Sequence, residues 1–158
     1  MIVQLLFALS ILFTGLFAGI GFANLLGYMP AFRRMKQAHA LAMWQSVDIY
    51  FRACMPFVGI SLQLILLLTL IGLYKNWNAM AFVLVGLSFL LSIAELAIIK
   101  NKNLPLNIRI QEAGEKVPAD FETMRVKAIK TFNLRGVIDI VSFILVITAW
   151  MEYNMHLT

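Results

Sequence analysis

The stretch MRVKAIKTFNLRGVID, residues 124–139, decides how the rest of the chain is read, because it carries charge straight into an apolar run. Arg135 and Asp139 stand four residues apart, one helical turn, and residues 140–150 beyond them are almost free of polar groups. A carboxylate at the lip of a helix through hydrocarbon costs about 2.5 to 3.5 kcal/mol on insertion scales. Asp139 is therefore expected to face inward, toward partners on other segments. The whole composition agrees with a bilayer as solvent. Of 158 residues 61% are hydrophobic, with mean hydropathy +0.85, whereas soluble domains run at about 45 to 50% apolar.

A net charge of +5 would raise the question of nucleic acid in a soluble protein. Here the basic residues cluster between apolar runs, where topology and anionic headgroups account for them, so membrane lipid is the expected partner and nucleic acid is not. Cys54 stands alone and has no internal disulfide partner. His39 and His156 are too few and too far apart for a zinc or haem pattern, and the topology below places them on opposite membrane faces. No cofactor is expected.

The pattern predicts an all-α, single integral membrane domain over residues 1–158, a four-helix antiparallel bundle. Spans are read at about residues 2–27, 53–74, 79–100 and 135–153, with interfacial helical segments at about 38–52 and 119–134. No basic residue precedes the first apolar run, which weakens a cleaved signal peptide. Gly15 and Gly19 fit a small-xxx-small pattern, serving either packing within the monomer or a homo-oligomer face. Thr14, Phe17, Gly21, Asn24 and Tyr28 follow one helical face, and Met29-Pro30 is expected to end that helix.

Further along, Gln45, Asp48 and Arg52 share a stripe with Gly59 and Gln63, either a solvated face or the mouth of the bundle. Trp77 and Tyr74 suit an interfacial turn. Ser88, Ser92 and Glu95 recur on one face of the third span, and Glu95 lies about 7.5 Å inside Lys100. It reads as a structural ion pair with an arginine of a neighbouring helix or as a functional acid. Pro105 is expected to stop this helix, with Asn103 and Asn107 satisfying freed backbone groups or orienting a ligand. Asp120 or Ala119 is a candidate cap for the last helix, on which Arg125, Phe132, Arg135, Asp139 and Ser142 form one stripe.

Twelve of the thirteen basic residues, all but Lys75, fall on one side of such a bundle. That asymmetry predicts loops one and three in the cytoplasm of a bacterial-type inner membrane, with both termini outside. Asn24, Asp48, Arg52, Glu95, Asn103, Asn107, Arg135 and Asp139 then gather at the cytoplasmic half as a one-ended polar pocket, which disfavours a continuous ion pathway. A metal held by Glu95, Asp48 and Asp139 would be a hard-oxygen site without the Glu-x-x-His of di-iron bundles, and none is expected.

A glycine-bearing apolar helix running into Tyr28-Met29-Pro30, a segment ending in Asp48-Ile49-Tyr50, the run Asn103-Leu104-Pro105-Leu106-Asn107 and the entry Phe132-Asn133-Leu134-Arg135 together resemble the anthrone-oxygenase-like family. Its members are small four-helix membrane proteins, mostly of unknown function, and the resemblance covers essentially the whole chain. It implies a cofactor-independent oxidoreductase acting on a lipophilic aromatic substrate, anthrone- or quinol-like. Glu95 or Asp139 would remove a proton, with Arg135 or asparagine amides steadying the oxyanion. A carboxylate paired to arginine is a weaker base, so the acid lacking such a partner is favoured. Asn24, Tyr28, Asp48, Arg52, Asn103, Asn107, Arg125 and Asn133 are the candidate substrate-binding residues. The alternative is a non-catalytic protein that binds lipid or quinone, or a subunit whose inner charges specify the bundle.

Overall fold

A computed structural model describes residues 2–76 and 78–155; the expectations for Trp77 and His156, and the side chain of Lys75, lie outside the described residues. Four antiparallel helices make up the fold: α1 (Ile2–Arg34), α2 (Gln37–Asn76), α3 (Ala79–Glu112) and α4 (Phe121–Met155). Each carries a stretch long and apolar enough to cross a bilayer, which supports an integral membrane protein. With 33 residues α1 is about 50 Å long, against about 30 Å of hydrocarbon. The bundle therefore extends past the bilayer at its basic end. Of the segments expected at the interface, 38–52 lies in the unbroken first part of α2, and 119–134 joins α4 from Phe121 onward.

In the spans α1 packs on α2 and α4, and α3 packs on the same two, an up-and-down ring. α1 and α4 approach closely at Gly21 and Gly136, where a Cβ on Gly21 would meet the Gly136 Cα at 2.7 Å. Of the pair singled out in the sequence, Gly15 packs within the monomer against Phe143, whereas Gly19 faces open space. Buried hydroxyls join helices where lipid offers no water: Ser10 meets Thr69 at 3.0 Å, and Ser88 meets Ser142 at 2.6 Å.

Both prolines expected to end a helix are instead absorbed. Proline lacks an N–H and its ring strikes the carbonyl four residues back. Ahead of Pro30 the helix widens into a π turn, Asn24–Tyr28, whose closing bond runs from the Met29 N–H to the Asn24 carbonyl. Ahead of Pro105 the same happens over Ile99–Asn103, closed by the Leu104 N–H on the Ile99 carbonyl. The extra residue per turn shifts the register so that α1 continues to Arg34 and α3 to Glu112. Beyond Glu112, Gly114 at φ 58° makes the turn that L side chains resist.

Two apolar cores result. One lies within the spans, around Phe7, Leu62, Leu66, Val85 and Val146. The other lies at the basic end, around Phe32, Leu41, Trp44, Ile110, Phe121 and Met124. In the second, Phe32 meets Trp44 edge to face at 5.6 Å. Burying a side chain such as Phe121 there is worth about 1.5 to 3 kcal/mol, as in a soluble domain.

Candidate functional site

The charged residues expected in one pocket are divided among three centres. The first is at the basic end, between α2 and the last turns of α3. Asp48 accepts from Arg52 at 2.6 Å, from the Asn107 amide at 2.6 Å and from Gln111 at 3.1 Å. Asn107 in turn accepts from the Trp44 indole at 3.0 Å, and the Gln45 amide donates to the carbonyls of Ile110 and Gly114. Asn107 thus acts across helices, instead of satisfying backbone at a helix end, because α3 continues through Pro105 and brings it over Asp48. Trp44 and Gln111 escaped the sequence reading: a tryptophan there reads as an interfacial ring, and nothing local pairs residues some sixty positions apart.

The second centre is a clamp at the start of α4. Arg125 donates to the Phe32 and Met35 carbonyls at the end of α1 and pairs with Glu122, which also accepts from Gln37. Cations suit the exposed carbonyls of a helix C-terminus. Arg125 therefore holds α4 to the end of α1 and stands apart from the carboxylates of the bundle interior. Asp120 pairs with Arg109, 2.9 Å away, and its backbone carbonyl receives the Met124 N–H. Tyr28 is 61% exposed and turned away from the interior.

The third centre is inside the bundle. Arg135 of α4 pairs with Glu95 of α3, its Nε and Nη2 at 2.9 and 2.8 Å from one carboxylate oxygen. Asp139, one turn further along α4, lines the same small void as Glu95. Both carboxyls are buried, and among the described residues Asp139 has no cation at ion-pairing distance of its own. They line a void of about 10 Å³ shared with Thr14, Phe17, Leu62, Ser92 and Ser142. That is about the room one water requires. Asp48 does not join them: no three His, Cys, Asp or Glu side chains converge among the described residues.

Elsewhere among the described residues three buried amide oxygens have no hydrogen-bond partner: those of Gln63, Asn103 and Asn133. All are acceptors, and each left unpaired costs about 1 to 3 kcal/mol, so water or a hydroxyl-bearing ligand suits them. Asn24 sits half-buried at the start of the first π turn. π turns recur at functional sites because they re-aim side chains out of the regular helical register. The chain matches no family model, no curated protein and no solved structure.

Proposed function

We propose that this membrane protein moves a proton on a lipophilic aromatic substrate, anthrone- or quinol-like, at the Glu95–Asp139 pair, with the basic end of the bundle in the cytoplasm and both termini outside. The observation that carries this reading is the arithmetic of the interior: two buried carboxyls line one void, and the one arginine there is ion-paired to Glu95. Asp139 is then the acid free to take up and release a proton. Glu95, held by Arg135, is its ionised neighbour. With an anthrone, Asp139 takes a proton from the ring methylene; the electron-rich anion reacts with oxygen, and loss of water leaves the anthraquinone. The guanidinium of Arg135 has donors beyond the two aimed at Glu95, and these suit the developing oxyanion.

The void beside the pair admits water and nothing larger, so substrate entry requires Leu62 or Phe17 to move. That small void favours a second reading, in which the inner charges fix the order and register of the helices and no substrate enters. Oxygen uptake by purified protein with a dithranol-like anthrone separates the two. The first reading expects uptake that Asp139→Asn abolishes; equal uptake by the two proteins overturns it. Mass spectrometry of co-purifying lipids and quinones adds an independent measure, since a stoichiometric aromatic ligand is incompatible with the second reading.

A further inference from the structure

Toward the basic end a window opens between α2 and α3, and the two helices are joined on either side of it. Away from the basic end these helices touch through Tyr74 and Phe82, ring centroids 6.4 Å apart, and through Leu70, 3.9 Å from a Cβ built on Gly86. At the basic end they are joined again by Asn107 on Asp48 and Gln45 on the Ile110 carbonyl. Between the two, residues 49–54 of α2 are all exposed. Six consecutive residues go more than once round a helix of 3.6 residues per turn, so no face of α2 is covered at this level.

The facing side of α3 is open at the same height. Stepping eleven residues along each helix from Leu70 and Gly86 sets Gly59 opposite Ala97. A Cβ added to Gly59 would meet nothing within 4 Å, Ala97 is exposed, and its neighbour Leu96 is 43% exposed. Charge marks one end of the opening. Arg52 leaves 47% of its side chain exposed although it is paired to Asp48, and Lys100 and Lys102 stand exposed on the π turn with no ion pair among the described residues. Asp48 itself is turned into the protein, spent on three donors.

The geometry points to an anionic phospholipid as the occupant: one acyl chain lies in the window past Gly59, and the phosphate sits between Arg52 and Lys100. An apolar slot open to the acyl region calls for a chain. Two cations at its polar end, with the nearby carboxylate already satisfied, call for an anionic headgroup. Leu62, one turn beyond Val58 and buried, separates this chain from the Glu95–Asp139 void, so the lipid site stands whether or not that pair is catalytic.

Native mass spectrometry of the full chain in detergent, titrated with palmitoyl-oleoyl phosphatidylglycerol or with the matching phosphatidylcholine, tests this. One phosphatidylglycerol should be retained at least fivefold more tightly than phosphatidylcholine. Arg52→Gln should remove most of that preference, and Gly59→Leu, which fills the slot, should weaken binding of both lipids. Equal retention of the two lipids by the wild type, or unchanged retention after Gly59→Leu, overturns the proposal. A second measurement does not depend on the variants folding: a diazirine-bearing phosphatidylglycerol photolysed in vesicles with the wild type should label residues 49–63 and 93–104. Labelling spread evenly round the bundle, or a dimer mass with the window protected by a second copy, overturns it as well.

Discussion

Asp48 and the Glu95–Asp139 pair are both buried acid on helices of one bundle, yet they are opposite in character. Asp48 has one arginine to itself and two amides besides, so its charge is balanced and its oxygens are saturated. Glu95 and Asp139 have one arginine between them and a void rather than an amide beside them. A carboxylate satisfied on every side holds helices together and has nothing left to react with. One that lacks a cation must find a proton, a water or a ligand. The comparison teaches that burial alone does not mark a functional acid; the count of partners does.

The largest effect expected from this contrast is at Arg135. Arg135→Gln leaves two buried carboxyls in the interior with no cation. Breaking a buried pair in this way costs about 3 to 5 kcal/mol, read as a fall in unfolding midpoint in detergent. Arg52→Gln removes the arginine of the other centre, but that side chain is 47% exposed and Asp48 keeps its two amides. Its cost should stay below about 1 kcal/mol. Equal losses in the two variants would erase the distinction between the centres.

Next in size is Asp48→Asn. The substitution removes the charge that Arg52, Asn107 and Gln111 converge on and sets a donor against donors, which should cost about 1 to 3 kcal/mol. Because those bonds hold the end of α3 to α2, limited proteolysis should cut the linker at residues 113–120 faster, with the spans still protected. Gly136→Leu should fall in the same range. A Cβ there would lie 2.8 Å from the Gly21 carbonyl oxygen, so α1 and α4 must part, at about 1 to 3 kcal/mol for overpacking. Since Gly136 lies between Arg135 and Asp139, the parting should also disturb the Glu95 centre, visible as lost unfolding cooperativity.

The number of helices was legible because a bilayer leaves few alternatives: backbone must be satisfied within each span, and charge must leave the hydrocarbon. Arg135, Asp139 and Glu95 were legible as inward-facing for the same reason. The π turns were not, because a proline preceded by asparagines reads locally as a stop, and only packing shows that the helix goes on through Pro30 and Pro105. Once α3 continues, Asn107 and Gln111 land on Asp48, so one missed continuation hid a whole centre. Gly21 was visible on its stripe, but its partner Gly136 lies on another helix, and no local spacing predicts a contact over that separation.

The smallest expected effect is the most telling. Asp139→Asn replaces one of two buried carboxyls that line one void by a neutral amide, so it removes charge without removing volume. Stability should stay within about 1 kcal/mol of wild type and move upward, the opposite sign from Asp48→Asn. Paired unfolding curves of these two variants, each differing from wild type by one Asp→Asn change, check the comparison with chemistry held constant. If Asp139→Asn is destabilising to the same extent as Asp48→Asn, Asp139 has an ordinary structural partner and the case for a mobile proton there collapses. If it is stabilising and oxygen uptake is lost, the wild type keeps an acid that the fold alone would not retain, as expected of a group held for its chemistry.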